Sequence, residues 1–225
     1  MRMRKKKHGA ERISACADLM TNDPATAFDD GREIELEIGC GKGNFICEMA
    51  KRNPDKGYIA IEKVGDVILL AMEKAKREGI ENIRFMNCDA RDLGDLIPCD
   101  SISVMYLNFN DPWPKKGYYK RRLTYRAFLN IYKSFLKVGG EIRLKTDNVG
   151  YFDFSLEQFK ENGFELSQLT RDLHNSEYEA ENIRTEYENN FSAKGFTINR
   201  VVATLVDGTI IPEETRRKTD TENKQ

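Results

Sequence analysis

Short apolar runs alternate along this chain with longer stretches in which apolar residues recur every three or four positions. Glu33 to Ile38 reads EIELEI, apolar at every second position, and predicts a first strand. After a glycine-rich turn, Phe45, Ile46, Met49 and Ala50 share one face of a helix. Tyr58 to Ile61 predicts a second strand. Val64, Val67, Ile68, Ala71 and Ala75 then recur at helical spacing, and Gly79 ends that helix. Ile83 to Met86 and Ile102 to Leu107 predict the third and fourth strands. Tyr125, Phe128, Leu129, Tyr132, Phe135 and Leu136 fall at i, i+3, i+4, i+7, i+10 and i+11, which predicts an amphipathic helix packed on the sheet and ended by Gly139-Gly140. Glu141 to Lys145 predicts a fifth strand, followed by a helix carrying Phe152, Leu156 and Phe159. Phe164 to Leu169 and Thr197 to Leu205 are the last β-like runs. Five strand–helix units followed by two strands predict one doubly wound α/β domain over residues 31–208, its sheet mostly parallel with an antiparallel strand near the C-terminus. No repeat and no second domain stand out. Residues 1–30 are polar, weakly periodic and basic at their start, and read as an arm outside the domain. The polar tail over 209–225 is expected to be disordered.

The chain has 225 residues, enough for one full core, and a net charge of −1. Binding to a polyanion must therefore come from a local patch. The five cysteines form no CxxC pair, which fits free thiols in a reducing compartment. The only histidines are His8 and His174, which argues against zinc, and no metal is expected. No apolar run is long enough to span a membrane. No apolar segment follows the basic run Arg2 to His8, so it does not read as a signal peptide. Cytoplasmic is the expected location.

The polar ends of the predicted strands carry the candidate chemistry. Gly39-Cys40-Gly41-Lys42-Gly43-Asn44 is a glycine loop between a strand and a helix, where the backbone can approach a ligand closely and helical N–H groups are free. Its spacing is neither the GxGxxG of dinucleotide folds nor the GK[ST] of a P-loop, because Lys42 is followed by Gly43. Glu62 closes the second strand about twenty residues on, well placed to accept both ribose hydroxyls of an adenosine ligand. Asp89, followed by Ala90, ends the third strand. It suits either the exocyclic amine of an adenine or the cap of the short helix after it. The fourth strand runs into Asn108 to Leu123, NFNDPWPKKGYYKRRL. Between Asp111 and Glu141 there is no acidic residue, while Lys115, Lys116, Lys120, Arg121, Arg122, Arg126, Lys133 and Lys137 are basic. One carboxylate at a strand end, beside a proline-stiffened loop and a basic patch, points to a nucleic acid held around a reacting group. Of the aromatics near Asp111, one of Phe109, Tyr118 and Tyr119 is a candidate to stack on a base. Trp113, between two prolines, is expected to pack under the loop. Asp147 after the fifth strand either caps the next helix or faces substrate.

This order of parts resembles a class I S-adenosylmethionine-dependent methyltransferase of Rossmann-like fold. Leu36 to Gly43, Asn108 to Lys116, Lys145-Thr146-Asp147-Asn148 and Thr185-Glu186-Tyr187-Glu188 together resemble the bacterial tRNA (guanine-N7)-methyltransferase family, with the DPWPKK element the specific part. That family methylates a variable-loop guanine at conventional tRNA position 46. The resemblance implies S-adenosyl-L-methionine as cofactor, tRNA as partner and a monomer or homodimer. It implies that Glu37, Glu62, Asp89 and Asp111 meet the cofactor or the reaction centre, and that Lys115, Asp147 and Thr185 to Glu188 meet the substrate. The full cofactor set becomes Glu37, Gly39, Gly41, Gly43, Glu62, Asp89, Ala90, Asn108 and Asp111. The substrate set adds Lys116, Arg121 and Arg122 from the basic patch, and Asp111 is the catalytic candidate. This chain departs from the pattern at Asn110, where Ser or Pro is more usual, and at Gly117-Tyr118-Tyr119, which replaces a segment richer in histidine or arginine.

Guanine N7 has a free lone pair, so methyl transfer to it needs orientation and electrostatics and no strong general base. Asn110-Asp111-Pro112-Trp113 partly imitates the Asn/Asp-Pro-aromatic motif of enzymes that methylate exocyclic amines, which keeps that reaction as an alternative. A non-catalytic tRNA-binding module is the alternative from another class, and the intact glycines with Glu62 and Asp89 weigh against it.

Overall fold

The computed structural model describes residues 9–28 and 30–212. Seven strands form one sheet: β1 (Ile34–Ile38), β2 (Gly57–Ile61), β3 (Ile83–Met86), β4 (Ile102–Asn108), β5 (Leu136–Thr146), β6 (Phe164–Thr170) and β7 (Asn199–Leu205). Their spatial order is β3-β2-β1-β4-β5-β7-β6. Neighbours from β3 to β5 pair in parallel, and β7 pairs antiparallel with both β5 and β6. The order reverses between β1 and β4. That reversal opens a crevice at the carboxyl ends of the strands, where open α/β sheets bind ligands.

The helices are α1 (Gly9–Ser14), α2 (Asn44–Arg52), α3 (Gly65–Arg77), α4 (Leu93–Leu96), α5 (Arg126–Lys133), α6 (Val149–Glu161) and α7 (Glu186–Ser192). The two-residue period of the strands separates two cores. Leu36, Ile38, Ile59, Ile61, Met105 and Leu107 face the core built with α4, α5 and α6. Tyr58, Ala60, Phe85, Val104 and Tyr106 face the core built with α2 and α3. Glu35 and Glu37 of β1 are buried at 2 % exposure each. The Tyr106 hydroxyl (2.7 Å) and the Lys56 ammonium (2.6 Å) donate to Glu35.

Three expectations are corrected. The helix expected to run from Tyr125 to the glycine pair stops at Lys133, and Leu136 already pairs with Ile102 in β5. The Phe135 carbonyl accepts from Ser101 and Ile102, so the edge of β4 captures the chain before the helix can continue. Phe135 is buried in the turn before β5 and Leu136 as its first residue, and their helical spacing is coincidental. Gly139-Gly140 therefore lies inside β5, where the register slips between Ile102 and Val104. A Cβ on Gly140 would sit 2.8 Å from the Lys137 carbonyl and 2.9 Å from that of Ser103.

The supposed arm is partly folded. Cys16 and Leu19 enter the α2–α3 core, Met20 bridges to Phe85, and the Arg12 guanidinium donates to both oxygens of Glu73 at 2.7 Å. The basic run Arg2 to His8 lies outside the described residues. The start of the tail is docked as well. Asn130 Nδ2 (2.7 Å) and Lys133 Nζ (2.6 Å) donate to the carbonyls of Ile211 and Thr209. Residues 213–225, which carry the rest of the expected disorder, lie outside the described residues.

A candidate active site at the carboxyl ends of the strands

The crevice is a cleft of about 830 Å³ whose lining comes from four successive strand ends: Ile38 and Gly39, Ile61 and Glu62, Asp89 and Ala90, and Asn108 to Asp111. The glycine loop builds one wall. Gly39 and Cys40 both donate to the Ile61 carbonyl, which ties the loop to the end of β2. Gly43 starts α2 at φ +77°, and a Cβ there would lie 2.8 Å from Ala71 Cβ. Glycine at this position thus allows both the left-handed turn and the close approach of α2 to α3. Glu62 braces the loop, its two oxygens accepting from the N–H groups of Gly41 (3.3 Å) and Val64 (3.0 Å).

Glu37 adjoins the cleft behind Asn108, whose amide donates to Glu37 Oε1 at 2.9 Å. Its Oε2 is buried with no hydrogen-bond partner among the described residues. Burial pushes the Glu37 carboxyl up from an ordinary 4.5 to about 7, against the pull of Asn108 and Lys145. An unpartnered buried carboxylate oxygen is costly and suits a cationic donor supplied by a ligand. Asp89 accepts from the backbone and side chain of Arg91, which holds its carboxyl down at about 2. Of the two roles left open by the sequence, the cap is the one formed here.

The second wall is the loop after β4. Phe109 (φ +54°) and Trp113 (φ +41°) adopt the left-handed conformation, uncommon for bulky residues, on either side of Asn110-Asp111-Pro112. Bonds to three neighbours hold this strain. Phe109 N–H donates to the Lys145 carbonyl (2.9 Å), Asn110 Nδ2 to the Ile38 carbonyl (3.0 Å), and Arg122 Nε to the Pro112 carbonyl (2.8 Å). The Asp111 side chain is left exposed, with no hydrogen bond or ion pair among the described residues. Trp113 lines the cleft instead of packing beneath the loop, with the Arg121 guanidinium 5.0 Å from its ring and 4.7 Å from that of Tyr118. Lys115 and Lys116 are exposed beyond it.

Other residues expected at the substrate are used by the protein itself. Glu188 is fully buried, which corrects its assignment as a substrate contact. It accepts from Lys145 Nζ (2.8 Å) and Asn182 Nδ2 (2.7 Å), and His174 Nε2 lies 2.9 Å from it. The Thr185 hydroxyl accepts from Glu188 N–H (2.9 Å) and the Thr185 N–H donates back to Glu188 Oε2 (3.3 Å), a capping box at the start of α7. Arg122 braces the loop from behind, over the Phe154 ring, so any effect it has on substrate is indirect. Lys133 and Arg126, counted in the basic patch, reach the tail carbonyls. Glu186 and Tyr187 stay exposed, Glu186 paired with Lys42 of the glycine loop (3.0 Å). The Tyr187 hydroxyl points to Asp147 at 3.4 Å. Asp147 does not cap α6. Asn148 does, accepting from Tyr151 N–H.

No role is expected of Lys145 from the pattern alone, yet it ties the loop after β4 to the segment leading into α7. Its ammonium spends all three donors on Asn182 Oδ1, the Ile183 carbonyl and Glu188, while its own carbonyl holds Phe109. Burial lowers its basicity and Glu188 opposes that. Burial raises the Glu188 carboxyl, but Lys145 and His174 reverse it to below the ordinary range. The only signal is position: a lysine at the end of a strand whose last three residues, Leu144 to Thr146, are all buried. His174, Glu179 and Glu188 have ligand atoms within 4.8 Å of one another, but Lys145 already supplies the positive charge there.

A family described as "Putative methyltransferase" matches residues 31–201. Among solved structures, the 16S rRNA methyltransferase KamB superposes with a TM-score of 0.60 at 14 % identity, covering 91 % of this chain and 96 % of that one. An rRNA methylase from Streptococcus thermophilus does so with a TM-score of 0.52 at 13 % identity, covering 92 % and 100 %. Fold and cleft thus define a Rossmann-like class I methyltransferase. A tRNA (guanine-N(7)-)-methyltransferase of Bacillus velezensis is 45 % identical over 207 residues, 89 % of this chain and 95 % of that protein. One of Brevibacillus brevis is 46 % identical over 179 residues, 80 % and 84 %. The chain belongs to the tRNA (guanine-N7)-methyltransferase family.

Proposed function

We propose that this protein transfers the methyl group of S-adenosyl-L-methionine to N7 of a variable-loop guanine in tRNA, position 46 in conventional numbering, forming 7-methylguanosine. The observation that carries the reading is a pair of unpartnered carboxylate oxygens at neighbouring strand ends: Glu37 Oε2, buried, and Asp111, exposed beside Lys115 and Lys116.

The residues fit the cofactor. Glu37 Oε2 takes its ammonium group, Glu62 its ribose hydroxyls, and Asp89 with Ala90 its base, while Gly39, Gly41 and Gly43 keep side chains out of the way. Asn108 fixes the orientation of Glu37. When bound, the cofactor supplies an electrophilic methyl group on a sulfonium. The N7 lone pair forms the new C–N bond as the C–S bond breaks, and no proton has to leave N7. Asp111 favours the positive charge that arrives on the purine, or fixes the base through its N1–H and amino edge. Lys115, Lys116 and Arg121 hold phosphates. Asp147, Glu186 and Tyr187 form the opposite rim. The reading places the protein with tRNA in the cytoplasm. No helix among the described residues is long and apolar enough to cross a membrane.

The test is a tRNA in which the target guanosine is replaced by 7-deazaguanosine, which has no lone pair at that position. Methyl transfer should fall to background while binding persists. Undiminished transfer would move the reaction to an exocyclic amine.

A further inference from the structure

Four aromatic rings run outward from the catalytic loop. Phe109, two residues before Asp111, lies 5.0 Å from Tyr187; Tyr187 stacks on Phe191 at 4.0 Å and 14°; Phe191 lies 5.5 Å from Phe196. The outer end is open. Phe196 is 51 % exposed within five exposed residues, 193–197, and Tyr187 is 40 % exposed. Neither joins either buried core. Lys194 sits 5.0 Å from the Phe191 ring.

We propose that this row is a stacking ladder for an unpaired base next to the target guanine of the RNA substrate. The inference rests on the proposed function and extends the substrate site beyond residues 185–188. Presenting a guanine to a cleft at the strand ends takes it out of its stack and leaves a neighbouring base without a partner. Aromatic faces accept such a base whatever its identity. The surroundings favour RNA over a protein partner. The exposed neighbours include Asn189, Asn190 and Lys194, which offer hydrogen bonds and a cation for the backbone, while the acidic Glu186 beside Tyr187 is already paired with Lys42. The ladder is also continuous with the loop that carries Asp111.

The experiment uses the full chain, unmodified tRNA transcript and two variants of the exposed end, Phe196→Ala and Phe196→Trp. Phe196→Ala should weaken tRNA binding roughly ten-fold, the scale of one base stacked on one ring. Affinity for S-adenosyl-L-methionine should be unchanged. The slope of log K against log salt should also stay unchanged, because no phosphate contact is lost. Phe196→Trp should keep the parent affinity. If the parent methylates tRNA while Phe196→Ala binds it equally well, the ladder falls and the function stands. A parent dimer that Phe196→Ala dissociates would assign the patch to a second copy and also overturn the ladder. A parent that neither binds nor methylates tRNA overturns both readings.

Discussion

At the scale of single residues, two carboxylates in opposite surroundings define the site. Glu37 is buried and pushed up to about 7; Asp111 is exposed and untied. A folded-state pKa raised above the unfolded value gives stability that is fully present below about pH 4.5 and lost as the pH rises through about 7. At 1.4 kcal/mol per factor of ten, charging Glu37 costs the ligand-free fold roughly 3 kcal/mol. Glu37→Gln should therefore stabilise the ligand-free protein by about that much near pH 8, and far less near pH 5, in chemical denaturation. An equal effect at both pH values would contradict the burial argument. The same substitution should abolish cofactor binding, since an amide offers an ammonium no charge. Asp111→Ala should leave cofactor affinity intact and cost about 10²-fold or more in turnover. Turnover within a few-fold of the parent would remove Asp111 from the reaction.

At the scale of elements, the loop after β4 and the segment leading into α7 are held together by buried charge. Replacing Lys145 by Met leaves Glu188 buried without its partner and should cost roughly 3–5 kcal/mol in urea denaturation. A loss under about 1 kcal/mol would mean that His174 and Asn182 suffice. Arg122 and Lys115 separate bracing from phosphate contact. Lys115→Ala should weaken tRNA binding and reduce the salt slope by about one, whereas Arg122→Ala should lower turnover with the slope unchanged. Identical slopes for both variants would remove Lys115 from the phosphates. The strand ends were legible because apolar runs give way abruptly to polar residues at Glu62, Asp89 and Asp111, and a strand's C-terminal end is where this fold binds ligands. Glu188 was misplaced because its burial comes from contacts across 43 residues, to Lys145, which no local pattern carries. The helix expected up to the glycine pair failed for a related reason. Phe135 and Leu136 are buried in the turn after α5 and the first position of β5, and a short apolar run reads equally well as helix.

At the scale of the whole molecule, a mostly parallel doubly wound sheet with an antiparallel strand near the C-terminus follows from the succession of predicted elements, whereas the strand order comes from the structure. The packing of residues 9–28 does not follow from that succession either, since Ile13, Cys16 and Leu19 fall in a weakly periodic stretch and gain their meaning only from α3 and β3. With a net charge of −1, the molecule has no global attraction for tRNA. Affinity must come from the basic loop, the aromatic rim and the cleft between them. The most direct test of this arrangement is transfer of labelled methyl from S-adenosyl-L-methionine to bulk unmodified tRNA, followed by nucleoside analysis. The account predicts the label in 7-methylguanosine alone. Label on an exocyclic amine, or tRNA binding without transfer, would contradict it.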